Sequence, residues 1–81
     1  MRILVVEDDV SLGGIVQRGL IEDGHAVDWE RTLAGAREAL RLVDYHLVVL
    51  DLGLPDGDGL ELCREVRAGG GRARVLLLTA R

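Results

Sequence analysis

Apolar and polar positions fall in blocks along the chain. Ile3-Leu4-Val5-Val6 is a short unbroken apolar run, and Glu7-Asp8-Asp9 ends it. Leu12, Ile15, Val16, Gly19 and Leu20 follow with the spacing of one helical face. Asp9 or Ser11 can cap the start of that helix, and Asp23-Gly24 marks its stop. Gly13, Gly14 and Gly19 each cost about 1 kcal/mol relative to alanine in a helix interior, so packing must hold it. Ala26-Val27-Asp28-Trp29-Glu30 alternates with period two, as a half-exposed strand does. Thr32 can cap a second helix whose apolar positions are Leu33, Ala36, Leu40 and Val43. Leu47-Val48-Val49-Leu50 is another unbroken run, ended by Asp51, and the loop Leu52-Gly53-Leu54-Pro55-Asp56-Gly57 follows. Asp58 with Glu61 fits a capping box, Leu62, Cys63 and Val66 line a third helix, and Gly69-Gly70-Gly71 ends it. The last apolar run is Val75-Leu76-Leu77-Leu78, ended by Thr79-Ala80-Arg81.

Strands separated by helices imply an α/β fold with a parallel sheet and helices on both of its faces. Unbroken apolar runs belong to strands covered on both faces, and the alternating second strand belongs at an edge. The expected strand order is therefore 2-1-3-4. The fourth run also reads as an interior strand, yet the sequence stops at its end. A bare edge there invites pairing with another chain, so the expectation is that the protein continues past Arg81.

Composition narrows the picture. At 81 residues, 48% hydrophobic and 30% charged, the chain is one small globular domain or part of one. No apolar run approaches the roughly 20 residues of a membrane helix. The chain opens directly into a strand-like run, which leaves no room for a signal peptide and points to the cytoplasm. The single cysteine, Cys63, excludes an internal disulfide and a cysteine-built zinc site. Ten basic residues, all arginine, stand against 14 acidic ones, for a net charge of −4. Such a domain does not hold nucleic acid by its phosphates.

The chemistry is expected at the carboxyl ends of the strands, near the point where strand order reverses. Glu7-Asp8-Asp9 ends the first strand, Asp51 the third and Thr79 the fourth. Carboxylates gathered there repel unless something positive sits among them, and the chain has no lysine. The natural neutraliser is a divalent cation, and all-oxygen ligands favour Mg²⁺, or Mn²⁺ in its place. A carboxylate beside a cation and a hydroxyl makes a phosphoryl acceptor, with Asp51 as nucleophile.

Leu4-Val5-Val6-Glu7-Asp8-Asp9, Val48-Val49-Leu50-Asp51-Leu52-Gly53-Leu54-Pro55-Asp56-Gly57-Asp58-Gly59-Leu60 and Val75-Leu76-Leu77-Leu78-Thr79-Ala80-Arg81 resemble the receiver domain of bacterial two-component response regulators. The wording is most similar to the subfamily whose receiver precedes a winged-helix DNA-binding domain, the OmpR/PhoB type. The resemblance implies the flavodoxin-like, CheY-like fold, here over residues 1–81 as a partial receiver without its last helix-strand-helix. It implies a signalling domain and not an enzyme. By position, Asp8 is a direct Mg²⁺ ligand, Glu7 acts through water, Asp51 takes the phosphoryl group and binds the metal, and the carbonyl of Gly53 is a third ligand. Thr79 senses the phosphoryl group, and Pro55 and Gly59 shape the loop. A sensor histidine kinase is the implied donor, and DNA is reached only through an output domain outside this chain. The family's lysine and switch aromatic on a fifth strand fall outside these residues, so normal switching is not expected of this stretch alone.

Other readings bound this one. An aspartate-nucleophile phosphatase wants a second aspartate two residues after the first, where Gly53 stands. A nucleotide-binding module needs a neutral, glycine-rich turn after the first strand, where the acids would repel phosphate. A non-phosphorylated fragment self-associating through its fourth strand, as a homodimer or by strand exchange, is the alternative that can coexist with receiver ancestry. Asp9 is a third acid of the metal site or a helix cap. Asp56 and Asp58 serve the turn and the next helix start. Cys63 packs in the core, Trp29 covers core, and His25 and His46 are solvated turn residues at the far end of the sheet. Gly13 and Gly14 make the first helix small beside the site, the expected docking surface for the kinase.

Overall fold

The computed structural model describes residues 1–79, with Thr79 described at its backbone only. The elements run β1 (Arg2–Val6), α1 (Val10–Glu22), β2 (Ala26–Glu30), α2 (Leu33–Leu42), β3 (Leu47–Asp51), α3 (Gly59–Ala68) and β4 (Arg74–Thr79). All strand pairs are parallel and the order is β2-β1-β3-β4, as the sequence implied.

The unbroken apolar runs are explained by two cores, one on each face of the sheet. Side chains alternate across a strand, so Ile3 and Val5 face one way and Leu4 and Val6 the other. Ile3, Val5 and Val49 pack with Val16 and Leu20 of α1 and with Val27 and Trp29 of β2. Leu4, Val6, Val48 and Leu50 pack with Leu33 and Ala36 of α2, Leu62 of α3, Tyr45 and Leu54. Cys63 is a free thiol packed against this second core. Each fully buried aliphatic side chain contributes about 1.5–3 kcal/mol relative to its exposed state.

The helix caps follow the side chains available. Asp9, not Ser11, caps α1 by accepting from Leu12 N at 3.0 Å. Thr32 caps α2 by accepting from Gly35 N at 3.1 Å. Asp58 caps α3 through Leu60 N at 2.9 Å, one residue earlier than the capping-box pairing would have it.

Three expectations need correction. Ile15 is 65% exposed, because the buried side of α1 runs through Gly13, Val16 and Leu20. On β4, Leu76 and Leu77 are largely exposed: α1 covers β1 and β2, and the cores reach β4 through Val75 and Leu78. His25 and His46 lie at the amino ends of the strands in solvent-accessible positions, as expected, and each also has a hydrogen-bond partner. His25 Nδ1 meets the Met1 amine at 3.0 Å, and His46 Nδ1 accepts from Arg2 N at 2.9 Å. Asp56 does not serve the start of α3: its two carboxylate oxygens accept from Leu33 N at 2.8 Å and Ala34 N at 3.0 Å. It thereby ties the loop after β3 to the start of α2.

Candidate functional site

Strand register assembles the site. Val6 pairs with Leu50 across β1 and β3, so the next residues, Glu7 and Asp51, emerge side by side. Asp51 in turn lies in register with Thr79 of β4, next to a shift in the β3–β4 pairing. Acids that lie up to 44 residues apart in the sequence therefore meet at one rim of the sheet. Glu7, Asp8 and Asp51 each offer a carboxylate oxygen within 4.8 Å of the others. Glu7 and Asp51 are fully buried and Asp8 is half-buried.

Burying two carboxylates together is costly, and the cost shows in their ionisation. Glu7 is pushed up from 4.5 to about 7, first by burial and then by its hydrogen bond with Asp51. The Asp9 N–H, which donates to Glu7 Oε2 at 3.2 Å, pulls the other way. In the cation-free chain near neutrality a proton is thus shared into this cluster, in the place where positive charge is needed. All three carboxylates offer oxygen, the donor type that hard divalent cations favour.

The loop after Asp51 is tightly held. Gly53 N donates to Asp51 Oδ1 at 3.1 Å, closing a short turn over the carboxylate. Gly59, the first residue of α3, is buried against that turn: a Cβ there would stand 3.0 Å from the Asp51 carbonyl oxygen and 3.1 Å from Leu52 Cα. A larger residue would push the loop off the strand end.

Glu7, Asp8 and Asp51 are therefore brought together as expected, with Gly53 hydrogen-bonded to Asp51. The side chain of Thr79 lies outside the described residues, and its backbone ends the strand next to Asp51. Asp9 is occupied as a helix cap. The expectation that Gly13 exposes a small helix surface fails. Gly13 is buried, and a Cβ on it would lie 2.3 Å from the Trp29 ring, whereas Gly14 has open space.

Two residues of the β2 end also touch the acidic loop. Trp29 does cover core, but its Nε1 also donates to the Glu7 carbonyl oxygen at 2.8 Å. Arg31 donates to the Asp8 carbonyl oxygen, from Nη2 at 3.0 Å and Nε at 3.3 Å. The available signal was the strand order: with β2 beside β1, the end of β2 must lie against the acidic loop. A concavity of about 610 Å³ opens at the opposite end of the sheet, lined in part by Val43, His46, Glu65 and Arg72. It shares no residue with the acid cluster.

Known proteins place this arrangement. The chain is 46% identical over 81 residues to the transcriptional regulatory protein QseB of Escherichia coli O157:H7, and it spans 37% of that protein's length. It superposes with TM-score 0.91 on the response regulator TrrA of Thermotoga maritima, crystallised in complex with Mg²⁺-BeF. That match is 34% identical and covers 99% of this chain and 70% of TrrA. TrrA in its crystallised complex with the histidine kinase ThkA matches with TM-score 0.88 and 34% identity, over 98% of this chain and 68% of that one. No helix among the described residues is long and apolar enough to cross a membrane. The family model described as the response regulator receiver domain matches residues 3–81, nearly the whole chain, and the fold and motifs agree with it: the chain belongs to the response regulator receiver domain family.

Proposed function

We propose that this chain is the phosphoacceptor part of a two-component response regulator, residues 1–81 forming part of a receiver whose output is transcriptional and lies in a separate domain. The observation that carries the reading is the buried cluster itself: three carboxylates within 4.8 Å, two of them fully buried, with Glu7 raised to about 7. A fold retains so unfavourable a cluster when a cation is to replace the shared proton.

In this reading Asp8 and Asp51 bind Mg²⁺, or Mn²⁺, with the Gly53 carbonyl, and Glu7 acts through water. When bound, the cation screens the acceptor carboxylate from an anionic phosphoryl group and offsets charge on its oxygens. The chain's own residues do the rest. Asp51 attacks phosphorus, its oxygen forms the new bond, and the bond from phosphorus to the donor's imidazole nitrogen breaks. The electron pair stays on that nitrogen, and the product on this chain is an acyl phosphate. The Gly53 N–H fixes the Asp51 carboxylate, and the Thr79 hydroxyl donates a hydrogen bond to a phosphoryl oxygen. The donor is the phosphohistidine of a sensor histidine kinase, a proposal supported by the TrrA–ThkA complex among the structural neighbours. The kinase docks on the exposed side of α1, where Val10 and Ile15 present apolar surface beside the acidic loop.

The test is incubation with a small acyl-phosphate donor and Mg²⁺, followed by intact-mass and peptide analysis. One phosphoryl group should appear on Asp51, be lost in Asp51→Asn, and fail to appear when a chelator replaces Mg²⁺. Label on another residue, or label independent of Mg²⁺, would reject the assignment.

A further inference from the structure

The chain leaves the sheet at Glu7, and that exit sets where the acids point. The β1–β2 pairing ends at Val6 opposite Glu30. Beyond it, three backbone groups of the acidic loop are taken by three consecutive residues at the end of β2. The Glu7 N–H donates to the Glu30 carbonyl at 3.0 Å. The Glu7 carbonyl accepts from Trp29 Nε1 at 2.8 Å, and the Asp8 carbonyl accepts from Arg31. A carbonyl at a buried strand end needs a donor, and the indole N–H supplies one here. The indole reaches it only because α1 has no side chain at Gly13, where a Cβ would stand 2.3 Å from Trp29 Cζ2, 2.5 Å from Cε2 and 2.8 Å from Nε1.

Glu7 and Asp8 are neighbouring acids crowded within 4.8 Å of each other and of Asp51, and they would spread if their peptide planes could turn. Because the Glu7 carbonyl is fixed, its plane cannot rotate without breaking the Trp29 bond, and the two carboxylates stay directed at Asp51. We propose that Trp29 is a positioning residue for cation binding, acting through the Glu7 backbone, with Gly13 as the space that admits its ring. This rests on the proposed function above. It also gives Trp29 a duty beyond packing with Ile3, Val5 and Val49.

The test separates positioning from packing. Trp29 is the chain's one tryptophan, so it can be replaced by benzothienylalanine, which keeps the bicyclic shape and puts sulfur in place of the N–H. Trp29→Phe and Gly13→Ala are the genetic variants, and Val27→Ala, in the same apolar cluster but away from the loop, is the packing control. Mn²⁺ affinity is measured by electron paramagnetic resonance of the free ion and normalised to the folded fraction from circular dichroism. Removing the indole N–H should weaken Mn²⁺ binding about tenfold, the scale of losing a partner that orients a metal ligand. Gly13→Ala should weaken it comparably with the indole still present, and Val27→Ala should lower stability without changing affinity. Unchanged affinity in the benzothienyl protein, with normal binding by the unmodified chain, overturns the positioning role and leaves the proposed function standing. Absence of Mn²⁺ binding by the unmodified chain overturns both.

Discussion

The buried carboxyl of Glu7 makes the cation-free protein sensitive to pH in an unusual direction. Its ionisation is raised from 4.5 to about 7, so the folded state holds the neutral form more tightly than the unfolded state does. That contribution is fully present below pH 4.5 and is lost as pH rises through about 7. A shift of this size corresponds to about 3 kcal/mol, at about 1.4 kcal/mol per pH unit. For a small domain with total stability of about 5–15 kcal/mol, the loss is a large share. Glu7→Gln keeps the shape and stays neutral at every pH. Denaturant unfolding in a chelator, from pH 4.5 to 8, should show the unmodified chain losing about 3 kcal/mol relative to Glu7→Gln. Taking the difference cancels every contribution that the two proteins share. Adding Mg²⁺ at pH 8 should then restabilise the unmodified chain. Parallel stability curves for the two proteins across this window would refute the reasoning, because the buried glutamate would carry no penalty for ionising.

Other outcomes follow from the packing and the loop ties. Leu62 is 1% exposed within the core on the α2–α3 side, so Leu62→Ala should cost about 2–5 kcal/mol in chemical denaturation; Leu60→Ala, at a position 40% exposed, should cost far less, and equal losses would contradict the core assignment. Asp56→Ala removes the acceptor for Leu33 N and Ala34 N, and those amides should exchange faster with solvent. Those two N–H groups hold the Asp56 carboxyl below its ordinary value, so its support of the fold should fade as pH drops below the usual carboxylate range. Tyr45→Phe removes the hydroxyl that donates to Asp28 Oδ2 at 2.5 Å and should cost about 1 kcal/mol. The Asp28 carboxyl, held low first by that hydroxyl and then by Arg2, should titrate higher in the variant by NMR.

Much of this was legible in the residues because the signals are local. Unbroken runs such as Leu47–Leu50 and the alternation around Asp28 gave the strand types, and those types together with the receiver resemblance gave the sheet order. The acid cluster was legible because Glu7, Asp8 and Asp51 each follow or end an apolar run, and a parallel sheet collects run ends at one rim. What stayed hidden depends on partners distant in sequence. Asp56 looks like a turn residue until α2 is placed, since the amides it binds lie 22 and 23 residues earlier. Gly13 looks like a surface glycine until Trp29 is laid on it. The exposure of Ile15 follows from which side of α1 the sheet meets, and helical spacing alone allows a broader face than the sheet covers.

The central claim is that the buried acids form a seat for a divalent cation beside the acceptor. Anomalous diffraction from crystals of the chain grown with Mn²⁺ tests it most directly. The account predicts one strong peak within bonding distance of Asp8 and Asp51 carboxylate oxygens, with Glu7 turned toward it. A rim without a peak in fully loaded crystals, with Glu7 still hydrogen-bonded to Asp51, would contradict it.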